Sequence, residues 1–235
     1  SLQLAIRQLT KEGHSLLYIT GNMHGEMARF EDSRLRKLKK GDTLIVCGDF
    51  GFLWDGGPKE EKNLKKLGSK KYQILFVDGT HENFDLLDSY PISDWNGGKV
   101  QQISGNLYHL MRGQVYTLEG KKIFTFGGGE STEKQMYIDA GKWWEREMPN
   151  LSEMRTAVDQ LRANEFQVDY ILTHEPAPGM PAHKVNPKDS TNQLDAFFDE
   201  LVKRVTYDRW FFGSLHIDRK ITAKTYAVFN EVVPL

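Results

Sequence analysis

The stretch Leu44-Ile45-Val46-Cys47-Gly48-Asp49 decides the fold. Four apolar residues, two of them β-branched, are followed at once by a glycine and a carboxylate. A short apolar run that ends in turn residues is typical of a strand buried on both faces, as in layered α/β proteins. Open α/β sheets build their sites at the carboxyl ends of their strands, so Asp49 is predicted to lie at a functional edge.

Strands and helices alternate around this stretch. Leu16–Thr20 and Ile74–Val77 are predicted strands, and Asp32–Lys40 and Lys59–Leu67 are predicted amphipathic helices. This order implies parallel strands joined by right-handed crossovers. Later strands are predicted over Leu107–Met111, Val115–Leu118, Lys121–Phe126, Val168–His174, Arg209–Gly213 and Ile221–Val233. Later helices are predicted over Lys142–Glu147, Ser152–Asn164 and Thr191–Val205, with Ser152 as an N-cap and Glu175–Pro187 as a loop. We expect one domain, residues 1–235, built on two sheets.

Composition excludes several classes of function. The chain has 31 Lys and Arg against 32 Asp and Glu, a net charge of -1, which does not support nonspecific binding to nucleic acid or to anionic membranes. Its only cysteine, Cys47, forms no internal disulfide and fits a reducing compartment. No apolar run approaches the ~20 residues of a membrane span. We expect a soluble, cytoplasmic protein.

Polar clusters follow the predicted strands. They are Asn22-Met23-His24, Gly48-Asp49, Gly79-Thr80-His81-Glu82, Gly127-Gly128-Gly129, Thr173-His174 and Gly213-Ser214-Leu215-His216. Four of the seven histidines lie in these clusters. Imidazole and carboxylate are ligands that borderline divalent cations favour, and strand ends can bring them to one edge. The pattern therefore predicts a metal site.

In this order the clusters resemble the D-x-H, G-D, G-N-H-E, H and G-H-x-H motifs of calcineurin-like metallophosphoesterases. The likeness covers nearly the whole chain. Within the family, the chain resembles the small bacterial or phage members. It implies a four-layer αββα sandwich of two mixed β-sheets, and it implies metal-dependent hydrolysis of phosphate esters. The implied cofactor is a divalent metal, Mn, Fe or Zn.

The resemblance also implies a role for each cluster. Asp49 is expected to bridge two metals. The other ligands of the first metal would be Asn22, His24 and His216. Those of the second would be Thr80, His174 and Ser214. His81 would be the catalytic histidine that stabilises or protonates the leaving oxygen, with Glu82 as its orienting partner.

Three ligand positions depart from the family pattern. Asn22 stands where the family has Asp, Thr80 where it has Asn, and Ser214 where it has the first His of G-H-x-H. Asn22 keeps an amide oxygen but lacks the charge, while hydroxyls are poor ligands for Zn or Mn. The second site therefore keeps only Asp49 and His174 as strong ligands. We predict that one metal site is occupied rather than two, and that activity is weakened or lost.

Three interpretations of this degenerate active site stay open. The protein is a natural pseudoenzyme that binds a phosphorylated ligand or partner in the old cleft, a one-metal or altered phosphoesterase, or an enzyme whose ligands were deliberately replaced.

The expected substrate is a small phosphate ester or a nucleotide. The matching stretch lacks the arginine of the G-D-x-V-D-R-G motif of protein phosphatases, so phosphoprotein substrates are not supported. Phe50, Phe52 and Trp54 could stack on a nucleobase, but burial against a helix is the favoured interpretation. Arg112 and Arg219 are candidate phosphate contacts.

Overall fold

The computed structural model describes residues 16–181 and 191–235, and these residues form two mixed β-sheets. The first sheet contains β1 (Leu17–Thr20), β2 (Thr43–Cys47), β3 (Gln73–Val77), β4 (Ile92–Trp95), β5 (Gly98–Ser104), β6 (Leu107–Leu110) and β13 (Val233–Pro234). The second contains β7 (Gln114–Leu118), β8 (Lys121–Phe126), β9 (Tyr170–Thr173), β10 (Arg209–Phe212), β11 (Arg219–Lys220) and β12 (Thr225–Ala227).

Each sheet has a parallel centre. The strand order is β13-β1-β2-β3-β6-β5-β4 in the first sheet and β11-β12-β10-β9-β8-β7 in the second. Strands β1, β2, β3 and β6 run parallel, as do β12, β10, β9 and β8, and the outer strands are antiparallel. The carboxyl ends of the parallel strands therefore share one edge of each sheet, as the alternating strand and helix pattern predicts.

Helices connect the strands. They are α1 (Ser33–Arg36), α2 (Pro58–Gly68), α3 (Phe84–Asp88), α4 (Lys134–Asp139), α5 (Leu151–Ala163) and α6 (Gln193–Arg204), with 3-10 helices at Met27–Glu31 and Glu145–Glu147. Within the described part of the chain, no helix has the length and apolar character needed to cross a membrane.

Three apolar clusters separate four layers. In β2, Leu44 and Val46 pack with residues of α1, α2 and α3, whereas Ile45 and Cys47 pack between the two sheets. On the outer face of the second sheet, Phe212 packs with residues of α5 and α6. Because the inner strands are buried on both faces, they read as continuous apolar runs. The predicted αββα sandwich of two mixed sheets is confirmed.

Several predicted elements differ from the observed ones. The first predicted helix, Asp32–Lys40, is reduced to α1, although Leu35 and Leu38 within that range are both buried. The predicted helix over Lys142–Glu147 is a 3-10 turn at its end, since Met148 is extended before Pro149. Ser152 is not the N-cap of α5; Asn150 accepts the capping hydrogen bond from the Glu153 N–H. The β4–β5 hairpin is missing from the predictions. Residues 182–187 of the predicted loop lie outside the described residues.

Candidate metal centre

Two histidines and one carboxylate meet where three strands end. His24 follows β1, Asp49 follows β2 and His216 follows β10, so both sheets contribute. One ligand atom of each residue lies within 4.8 Å of the corresponding atoms of the other two. His24 Nε2 is 3.6 Å from Asp49 Oδ2, and the rings of His24 and His216 have their centroids 5.2 Å apart. This arrangement brings together the strong ligands predicted for the first metal.

The backbone at these three residues is left-handed. The φ angles are 49° at His24, 43° at Asp49 and 51° at His216. Such conformations cost on the order of 1–3 kcal/mol for a residue other than glycine and cluster at functional sites. The N–H groups of Met23 and His24 both donate to the Asp49 carbonyl oxygen, at 3.0 and 2.9 Å, which ties the first two loops together.

Asp49 is buried and ionised. Its Oδ1 atom accepts hydrogen bonds from the N–H groups of Thr80 and His81 at 2.6 and 2.8 Å. Burial alone would raise the pKa of Asp49, but the neighbouring His174 and the two N–H donors outweigh it, so the pKa is lowered. A buried carboxylate that stays charged has the character of a cation ligand.

The Asn22 side chain faces the same position. With its amide oriented to satisfy its hydrogen bonds, Oδ1 accepts from His216 Nε2 at 2.7 Å. Its Nδ2 then donates, at 3.2 to 3.3 Å, to three backbone carbonyl oxygens, those of Cys47, Gly48 and Gly213. The opposite orientation offers only a 3.4 Å contact to Asp49 Oδ2. Asn22 therefore presents a neutral oxygen beside the two histidines and Asp49.

These residues fit one divalent cation. His24 Nε2 is buried and has no hydrogen-bond partner among the described residues. Burial and the nearby His24 lower the pKa of His216, which favours the neutral imidazole that binds metal. Once a cation replaces the hydrogen bond from His216 Nε2 to Asn22 Oδ1, two imidazole nitrogens, a carboxylate and an amide oxygen match the mixed nitrogen and oxygen ligands that Mn, Fe and Zn accept.

The residues predicted for the second metal form a poorer set. His174 is buried, with Nε2 3.6 Å from Asp49 Oδ1 and an Nδ1 atom that has no hydrogen-bond partner among the described residues. The Thr80 hydroxyl is 3.5 Å from the same Asp49 oxygen. Ser214 Oγ donates to Glu175 Oε2 at 3.1 Å. Since Asp49 Oδ1 already accepts two backbone hydrogen bonds, its capacity for a second cation is reduced.

Glu82, the predicted orienting partner of His81, forms its hydrogen bonds with the loop after Asp49. Its carboxylate accepts hydrogen bonds from the N–H groups of Phe50 and Gly51, at 2.7 and 3.2 Å, and so supports the loop after Asp49. Burial, together with the charge of Asp49, raises the pKa of Glu82 well above its usual value.

His81 lies beside the metal ligands. Its ring centroid is 5.3 Å from that of His24, and it stacks face to face on Trp54 at 4.1 Å. Burial lowers the pKa of His81, while the charge of Asp49 opposes that change. The catalytic role of His81 stays a prediction.

The two arginines singled out in the sequence occupy unlike positions. Arg112 is buried, and its guanidinium donates to Asp78 at 2.8 and 3.1 Å and to Glu153 at 2.8 Å. These hydrogen bonds give Arg112 a structural partner, so its placement does not support phosphate contact. Arg219 is exposed in β11.

The aromatic residues after Asp49 also differ in burial. Phe50 and Phe52 are fully buried in the outer core, so the burial interpretation is confirmed for them, whereas Trp54 is half-buried beside His81. Sequence reasoning missed Tyr137 and Lys142, which contact Trp54 from a later segment. The signal in the sequence near this segment was the aromatic pair Trp143-Trp144.

One comparison with known proteins assigns the family of this chain. Among solved structures, the chain is similar to a protein of unknown function, AQ665 from Aquifex aeolicus, with 13% identity and a TM-score of 0.37, over 86% of this chain and 90% of that chain. That likeness is too low to add to the assignment. No match is found among curated proteins. The family model of calcineurin-like phosphoesterases matches residues 16–218. Since this match spans well over half of the chain, the protein belongs to the calcineurin-like phosphoesterase family.

Proposed function

We propose that this protein hydrolyses a small phosphate ester or a nucleotide with one firmly held divalent cation. Its family consists of metal-dependent phosphoester hydrolases. The observation that carries the proposal is the convergence of His24, Asp49 and His216, whose ligand atoms lie within 4.8 Å of one another. Asn22 would complete this set through Oδ1. When bound, the cation would neutralise charge on the phosphoryl group and promote attack by water.

The protein's own residues would then bind and orient the ester. His24, His216 and Asp49 would fix the phosphoryl group at the strand ends through the cation. His81 would lie at the leaving oxygen, where its imidazole donates a hydrogen bond or a proton. We propose weakened activity, because Thr80 and Ser214 supply hydroxyls where family members hold a second cation.

An aryl-phosphate assay with added Mn²⁺ tests this proposal. We expect slow, metal-dependent turnover by the wild type. Asp49→Asn should lower kcat/KM by at least about 10- to 100-fold, the loss that follows from changes in residues that merely support a metal ligand. The triple change Asn22→Asp, Thr80→Asn, Ser214→His should raise turnover. Turnover that is independent of metal and insensitive to Asp49→Asn would contradict the proposal.

The second candidate function is a non-catalytic protein that binds a phosphorylated ligand in the same cleft. It is favoured by the two backbone hydrogen bonds to Asp49 Oδ1, which occupy the oxygen that would serve a second cation. Phosphate binding without any turnover in the wild type, at every metal tried, would select this candidate.

A further inference from the structure

The ring of His81 lacks the polar partner that orients many catalytic histidines. Within residues 16–181 and 191–235 its two nitrogens form no hydrogen bond, and the adjacent carboxylate of Glu82 is engaged by the N–H groups of Phe50 and Gly51. Only the backbone of His81 is fixed by hydrogen bonding, through its N–H to Asp49. Among the described residues, the contacts that orient the plane of the imidazole are therefore packing contacts.

Trp54 supplies that packing. The two rings are nearly parallel, with an interplanar angle of 9° and centroids 4.1 Å apart. Tyr137 closes the side of the stack, with its ring nearly perpendicular to both and its centroid 6.2 Å from each. A face-to-face stack restricts rotation of the imidazole about its side-chain bonds.

Trp54 is itself firmly held. Its backbone N–H donates to the Glu60 carboxylate, and its backbone carbonyl oxygen accepts from Asn83 Nδ2 at 2.8 Å and Lys142 Nζ at 3.1 Å. Lys142 Nζ also lies 5.5 Å from the centre of the indole, and the Trp144 ring meets it edge-on at 5.9 Å. Contacts from α2 and from the turn before α3 therefore fix the backbone of Trp54, and the segment after α4 contacts its indole ring.

We propose that Trp54 is the positioning residue of His81. It holds the imidazole plane by stacking, in place of a hydrogen-bonding carboxylate, and the Tyr137–Trp144 segment holds Trp54. The proposal rests on the proposed function, since it takes His81 as the residue at the leaving oxygen. It adds that catalytic alignment depends on an aromatic ring contributed by the loop after Asp49.

Kinetics of Trp54→Leu and Trp54→Phe test this proposal. Trp54→Leu removes the stack and should lower kcat for aryl phosphate by about 10- to 100-fold, as expected for a misplacement near 1 Å. The KM and the Mn²⁺ content should stay unchanged. Trp54→Phe keeps a stacking ring and should recover most of kcat. Trp95→Leu is the matched control, because the half-buried Trp95 ring packs on Tyr108 and Tyr116 rather than on His81, and it should behave as wild type.

Nuclear magnetic resonance of the His81 ring gives a second readout that needs no turnover. In the wild type the ring protons should be sharp and shifted upfield by the indole, and in Trp54→Leu they should broaden and lose that shift. A wild type without turnover would contradict the proposed function. The His81 ring spectrum alone would then show whether Trp54 positions that ring. An unchanged kcat or unchanged ring signals in Trp54→Leu would overturn the positioning role.

Discussion

At the residue scale, the motifs predict which side chains meet but not how each is held. The sequence alone brings His24, Asp49 and His216 to one edge, since each follows a strand. It does not indicate that all three residues adopt positive φ angles. Nor does it show that Glu82 binds two backbone N–H groups instead of orienting His81. Such details depend on contacts between loops far apart in the sequence, which residue type and spacing do not encode.

The surroundings of Asn22 lead to a first prediction. Three backbone carbonyl oxygens face its Nδ2 atom, so Asn22→Asp places a carboxylate oxygen against them. Without metal this change should cost about 1–3 kcal/mol, and each kcal/mol lowers the Tm of a chain of this size by about 2 to 4 °C. Excess Mn²⁺ should narrow the difference in Tm between Asn22→Asp and the wild type, because the cation neutralises the added charge. Thermal unfolding in chelator and in Mn²⁺ measures both effects.

Asn96→Asp is the matched control for this measurement. Asn96 is exposed at the β4–β5 turn, and Asp-Gly suits such a turn about as well as Asn-Gly, so its Tm should stay close to that of the wild type. An Asn22→Asp variant as stable as the wild type in chelator would show that the three carbonyl groups do not select for an amide.

At the scale of elements, apolar alternation accounts for most of what could be predicted. In β2 successive side chains enter opposite cores, so the continuous run marks the strand. The β4–β5 hairpin was missed although Asn96-Gly97, a strong hairpin turn pair, joins its strands with φ angles of 48° and 94°. The strand β4 is largely exposed and carries few apolar residues, so its pattern is weak. The observed helix ends also differ from the predicted ones, because capping depends on which side chain reaches the first free N–H groups of the helix.

A buried charge network joins several of these elements and supports the second prediction. Asp78, after β3, accepts from Arg112 and lies 2.9 Å from His109 Nε2, while Arg112 also binds Glu153 of α5. Removing one partner of a buried pair costs about 3–5 kcal/mol. Asp78→Asn should therefore strongly lower the free energy of unfolding measured in denaturant at neutral pH. Asp159→Asn, which breaks an exposed pair with Arg162, should cost at most about 1 kcal/mol.

The same network gives a pH dependence. Burial would raise the pKa of Asp78, but Arg112 and His109 outweigh it and lower the pKa. A carboxyl whose pKa is lowered on folding stabilises the protein fully above the ordinary value of about 4, and that contribution is lost as the pH falls further. The free energy of unfolding of the wild type should therefore fall more steeply with decreasing pH below that value. In Asp78→Asn the same plot of free energy against pH should be flatter. A variant as stable and as acid-sensitive as the wild type would contradict the role given to this network.

At the scale of the whole molecule, two sheets deliver their strand ends to one cleft, and this convergence is what the order of motifs predicts. The sequence could not place the segment around Tyr137, Lys142 and Trp144 against Trp54, since these contacts join residues more than 80 positions apart. The sandwich supplies His24 and Asp49 from one sheet and His216 and His174 from the other. A cation at the first site would therefore bind the two sheets to each other as well as serve the reaction.

The central claim is that this cleft holds one cation firmly rather than two. Isothermal titration of Mn²⁺ into metal-free wild-type protein, followed by elemental analysis, tests it most directly. We predict one tightly bound ion per chain, no tight binding in Asp49→Asn, and two tight ions once Asn22→Asp, Thr80→Asn and Ser214→His are combined. Two equally tight ions in the wild type, or none, would contradict the account.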